Sequence, residues 1–126
     1  MTTPAFKPLP WQPITLADAY QPRPPTAWVV EGLFAAASLN VLFGPPSSLK
    51  SLLALDMAAS VVAGENWLPL TALVDDGFPT KQGAAVIIDF DNGGDTHRER
   101  LEAVGRAYQL AGDAPLYGVT LAEAGG

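Results

Sequence analysis

The sequence predicts an α/β fold, a parallel sheet with flanking helices, and three observations carry that expectation. Residues 39–63 pass from a short apolar run through a small-residue loop into a long apolar segment of helical length. Ala84–Phe90 is a continuous apolar run with an acid near its end, as in a parallel strand covered on both faces. A helical pattern then leads to a further β-like stretch, Leu116–Leu121, so strand and helix alternate.

In chain order, residues 1–27 carry seven prolines. Proline blocks helix interiors and central strands, so this part reads as an extended, partly polyproline-like arm. Between the proline groups, Ile14–Tyr20 has room for one helical turn. Trp11 and Tyr20 are candidates to pin the arm to the core or to a neighbouring subunit; a tail that is not pinned is the alternative. Trp28–Val30 is a short β-like run turned by Glu31–Gly32, and Leu33–Ala37 leads on as a small packing element.

Leu39–Phe43 reads as a strand that stops at Gly44. The loop Pro45-Pro46-Ser47-Ser48-Leu49 follows, and Lys50-Ser51 opens a helix over residues 50–63 with Gly64 as its stop. This matches the phosphate-binding pattern G-x-x-x-x-G-K-[ST], except that Leu49 stands where the second glycine belongs. A helix start exposes unpaired N–H groups and partial positive charge, which favour a phosphate. Pro45 and Pro46 have no N–H, so the loop's donors begin at Ser47 and run through Ser48 and Leu49 to Leu52. In this reading Lys50 adds charge at the β- and γ-phosphates and Ser51 places its hydroxyl on Mg²⁺. An ordinary strand-to-helix turn would instead use Ser47 or Ser48 as N-cap and leave Lys50 solvated. A left-handed backbone at Leu49 would cost about 1–2 kcal/mol; the loop survives it if Leu49 only donates its N–H and turns its side chain away.

The helix is apolar nearly all round, which implies burial on more than one side. Residues 64–83 form a long connection in which Trp67 and Phe78 read as core aromatics, with a base-binding surface as the lesser possibility. Asp75-Asp76 reads as a solvated turn. Asp89 and Asp91 fall at the carboxyl end of the next strand, where open α/β sheets bind ligands. Their i, i+2 spacing sends both side chains one way along a strand. Two carboxylates beside a triphosphate would hold Mg²⁺ or orient a water; alternatively they cap the turn at Asn92-Gly93-Gly94. Asp95 or Thr96 is the expected N-cap of a helix from His97 to about Leu110, ended by Gly112. Its stripe is Leu101, Val104 and Leu110, with Arg98, Arg100, Glu102 and Arg106 mostly outside it. The lone His97 is expected at the surface or in a cap. Arg98 and Arg100 are within reach of phosphate, but a solvated helix face is the preferred reading.

With 126 residues the chain is long enough for one small domain. Its net charge of −6 leaves no electrostatic footprint for nucleic acid on this piece. It has no cysteine, hence no disulfide framework or thiolate metal site. Apolar stretches are too short for a membrane span and the N-terminus lacks a secretory pattern, so a cytoplasmic location with no membrane partner is expected.

The order strand, phosphate loop, helix, strand ending in acid, helix, strand resembles the N-terminal half of a RecA/DnaB-superfamily ATPase, and most closely the RepA-like ATPases of plasmids, phages and bacterial genomes. The matching pieces are WVVEGL, GPPSSLKSLLALDMAASVVAG, AAVIIDFDN and HRERLEAVG, spanning about residues 26–121. The resemblance implies a RecA-like partial parallel sheet, with residues 1–27 an arm and residues 28–126 the first part of the ATPase domain. It implies ATP and Mg²⁺ as ligands on Gly44 to Leu52, with Lys50 at the phosphates and Ser51 at the metal. Asp91 then stands where relatives place a water-activating glutamate, one methylene longer. The Walker B strand of the family would follow the third strand, beyond this sequence. The implied role is the ATP-binding module of a replication or recombination motor, hexameric when complete and reaching DNA through other regions. The alternative is a regulatory or assembly module that binds nucleotide without turnover. A small-molecule kinase would need a lid and an acceptor site, and neither is visible.

Overall fold

A computed structural model describes residues 10–46, 48–69 and 76–121. Its elements are α1 (Leu16–Ala19), β1 (Trp28–Val30), β2 (Phe34–Ala35), α2 (Lys50–Ala63), β3 (Ala85–Ile88), α3 (Gly94–Ala107) and β4 (Leu116–Val119). The molecule is mixed α/β, and β3 pairs in parallel with β4 in the register Ala85↔Leu116 to Ile88↔Val119. The connection between them is α3, because parallel neighbours need a crossover.

The arm holds the single turn expected of it. Thr15 caps α1 reciprocally with Asp18: the Asp18 N–H donates to Thr15 Oγ1 at 3.1 Å and the Thr15 N–H to Asp18 Oδ2 at 3.0 Å. Trp11 and Tyr20 are exposed and do not pin the arm to the core. β1 and β2 form an antiparallel hairpin, turned at Gly32, whose φ of +79° suits glycine. Residues 79–81 run along β1: Glu31 N–H donates to Pro79 O and Lys81 N–H to Val29 O, both at 2.9 Å.

Helix α2 lies between two packing groups. On one side Val61 and Met57 meet Val30, Phe34, Phe78 and the buried Trp67. The Trp67 ring stacks at a tilt on Phe34 and Phe78, centroids 6.4 and 6.2 Å apart, so both aromatics act in the core. On the other side α2 packs on β3 and α3. Asp56 ties the groups together by accepting from Trp67 Nε1 at 3.0 Å and from Tyr108 Oη at 2.9 Å. Burial first, and then the Asp56 carboxylate, push the Tyr108 phenol far above its ordinary pKa. The helix ends where expected: Gly64 is left-handed at φ +69°, and Gly83 N–H and Gln82 Nε2 donate to the late carbonyls of Val61 and Val62.

Three expectations are corrected. Leu39–Phe43 is not a strand: among the described residues it has no backbone hydrogen bond, and Leu39 and Phe43 are 94% and 87% exposed. A β segment exists only through a partner, and apolar composition alone does not provide one. β3 is not covered on both faces, since Val86, Ile88 and Phe90 are exposed while Ala85 and Ile87 are half-buried. α3 starts earlier than expected, with Gly93 as N-cap and Asp95 and Thr96 in its first turn, and it ends at Ala107 before a left-handed Gln109. Asp76 is exposed, whereas Asp75 lies outside the described residues. No helix among the described residues is long and apolar enough to cross a membrane.

Candidate functional site

The loop before α2 closes on its own lysine. Lys50 Nζ donates to Gly44 O at 2.9 Å, to Pro45 O at 2.8 Å and to Ser48 Oγ at 3.2 Å. A Cβ at Gly44 would sit 3.1 Å from Ser48 Oγ, so the serine hydroxyl would have to give by a few tenths of an ångström. Among the described residues no side chain caps the helix, so Ser48 does not take the N-cap part of an ordinary turn. Leu49 occupies the cap position with φ +62° and ψ +20°. It takes a left-handed conformation that glycine adopts without strain, and its side chain, 68% exposed, turns to solvent. The uncapped start leaves the leading N–H groups of α2 to an outside acceptor. Ser47 lies outside the described residues.

At the end of β3 the two acids part company. The strand ends at Ile88, so the i, i+2 parity no longer applies at Asp89 and Asp91. Asp89 folds back into the turn. Its Oδ1 accepts from Asp91 N–H at 3.0 Å and Asn92 N–H at 3.1 Å, and its Oδ2 accepts from Asn92 Nδ2 at 2.8 Å. His97 Nδ1 lies 3.6 Å from the same Oδ2. The Asn92 amide, above all, holds the Asp89 carboxyl below the usual range, and burial acts against it. Asp89 therefore caps the turn in this structure, as the alternative reading of the acid pair has it. Asp91 is exposed. His97, expected at the surface, is buried, with Nε2 unpartnered among the described residues.

Two adjoining clefts bring most of the expected residues together. One, of about 470 Å³, has Ser51, Ala54 and Leu55 of α2 on one wall and Val86 to Asp91 on the other. The next, of about 270 Å³, is lined by Ser48, Leu49, Lys50, Ser51, Leu52 and Asn92. Arg100 of α3 lines both. Ser51, Asp89 and Asp91 thus share a cleft, Lys50 and Leu52 line its neighbour, and Gly44 borders neither. Among the described residues no group of three or more acids or histidines could hold a metal by itself. A Mg²⁺ ion here would need oxygens beyond those of the described side chains to complete its coordination.

These features meet in one line of descent: a model of the AAA domain family matches residues 4–125. The chain belongs to the AAA domain family. No curated protein and no solved structure matches it. AAA domains are ATP-binding, ATPase-type modules that generally take ATP with Mg²⁺. Within this AAA chain, Arg100 is the residue that sequence reasoning set aside. The usable signal was spacing: His97, Arg100, Leu101 and Val104 are the inward positions of α3, at i, i+3, i+4 and i+7.

Proposed function

We propose that the chain is the ATP-binding module of a RecA/RepA-like ATPase of the replication or recombination type. One observation carries the reading: Lys50 and Ser51 open an uncapped helix whose cleft is walled on its far side by the carboxyl end of β3 and Asp91. Open α/β sheets bind ligands at such strand ends. In this reading the N–H groups of residues 48–52 and Lys50 hold the phosphates, and Ser51 holds Mg²⁺, which neutralises phosphate charge when bound. Asp91 orients water, and Asp89 fixes the turn that carries it. Residues 1–27 serve as an arm to residues 28–126, and the complete assembly is a hexamer that reaches DNA through regions outside this piece. The acidic balance of −6 makes strong DNA binding by this piece itself unexpected.

A second reading, a nucleotide-binding regulatory or assembly module without turnover, is favoured by the contacts of two residues. Lys50 is engaged by loop carbonyls and Asp89 by the turn, so neither acts until a ligand rearranges them. Titration with a fluorescent ATP analogue tests both readings. Mg²⁺-dependent binding that Lys50→Ala weakens by at least about tenfold is expected, from the loss of a charge-assisted contact. No binding by the folded chain, or binding indifferent to Lys50→Ala, refutes both. Phosphate release at a measurable rate then separates ATPase from regulator.

A further inference from the structure

We propose that Arg100 reads the terminal phosphate, so that it decides whether this site prefers a nucleoside triphosphate to a diphosphate. The inference rests on the nucleotide reading of the loop and extends it to a residue on another element. Arg100 stands in the inward stripe of α3 with His97, Leu101 and Val104, where an apolar side chain is the ordinary occupant. It is half-buried, while its neighbours Arg98 and Glu99 are exposed. The helix does pair charges on its outer face, where Arg106 meets Glu102 at 3.0 Å. Arg100 has no hydrogen bond or ion pair among the described residues, although Asp89 and Asp91 line the same cleft. A guanidinium drawn inward without a partner is costly unless an anion completes it.

The geometry indicates which anion. Arg100 lines the pocket of Lys50 and Ser51 and also the cleft that runs on to Asp91. The loop and the start of α2 serve a phosphate seated between them. Ser51 and Arg100 line both clefts, so a phosphate added beyond the one at the loop would come within the span between them. The planar fork of arginine matches two phosphate oxygens at once, which a lysine ammonium does not.

The test uses the full chain, with Mg²⁺, titrated separately with ADP and with a β,γ-imido ATP analogue. Wild type, Arg100→Gln, Arg100→Lys and Lys50→Ala are compared, and folding is checked by circular dichroism. Arg100→Gln is expected to lose about tenfold or more in affinity for the triphosphate, while ADP affinity stays within about twofold. Arg100→Lys is expected to keep part of the preference, and Lys50→Ala to weaken both ligands. Equal losses for both ligands, or no loss for either, overturn the assignment of Arg100 and leave the loop reading intact. If Arg100→Gln does not fold, Arg100→Lys decides: a loss confined to the triphosphate supports the assignment, and equal losses or none overturn it. Failure of wild type to bind either ligand overturns the loop reading and this inference with it.

Discussion

Replacing Leu49 with glycine should make the protein more stable, although it removes a large apolar side chain. Leu49 sits at φ +62° and ψ +20° and closes the N-terminal end of α2 without a side-chain cap. An L-residue in that conformation costs roughly 1–2 kcal/mol because Cβ crowds the following carbonyl. Little burial is lost in exchange, since the side chain is 68% exposed. Glycine's greater freedom in the unfolded chain takes back about 0.5–1 kcal/mol. The net gain is about 0.5–1 kcal/mol. For 126 residues each kcal/mol moves the midpoint by about 4 °C, so Leu49→Gly should raise Tm by about 2–4 °C. Leu49→Ala is the control: it keeps Cβ and the strain, and should melt within about 1 °C of wild type. At the other end of the helix the sign reverses. Gly64→Ala, at φ +69° with the new methyl 3.1 Å from the Gln82 side chain, should lose about 1–2 kcal/mol. Thermal melts followed by circular dichroism measure all three. A Leu49→Gly melt at or below that of Leu49→Ala would refute the argument, because the two differ chiefly in the atom held to cause the strain. Nucleotide affinity should hold or improve in Leu49→Gly, since the loop's N–H groups keep their places.

Two further outcomes follow from the β3–α3–β4 unit. A methyl at Gly118 would collide with the His97 ring and with Leu101, so Gly118→Ala should cost about 1–3 kcal/mol in urea unfolding. Asp89 makes stability depend on acid: its folded pKa is depressed, so its contribution is fully present above the unfolded value of about 3.9 and disappears as pH falls through the folded one. Wild type should therefore hold its Tm from pH 7 to 5 and lose stability below about pH 4. Asp89→Asn, which has no such proton to take up, should start lower at pH 7 and fall less steeply.

What was legible in the sequence divides by the range of the forces involved. The bounds of α2 were readable because Lys50, the apolar run and Gly64 act within a turn or two of the chain. The pairing of β3 with β4 followed from composition and order, since two apolar runs joined by a helix rarely have another arrangement. An ATP-binding, AAA-type module was legible through Lys50-Ser51 at the start of a long apolar helix. The side-chain tasks were not. For Asp89 the residue type allowed both a ligand and a turn cap, and only the folded turn through Asn92 shows both its oxygens engaged there. His97 was judged by its rarity, while its i, i+4 relation to Leu101 already placed it on the buried face. Leu39–Phe43 carries strand propensity, but pairing is a long-range event that no local signal reports.

That unpaired stretch has a thermodynamic consequence. Residues 39–43 lead directly into the loop around Lys50, yet among the described residues the loop's backbone is hydrogen-bonded only on its α2 side. Any chain that lays a strand along 39–43 holds the near end of the loop and removes part of the entropy that a phosphate must otherwise overcome. By linkage the favour is returned: nucleotide strengthens that strand's grip by the same factor. With such a strand in place, the stretch just before the loop would couple an event at a sheet edge to occupancy of the loop.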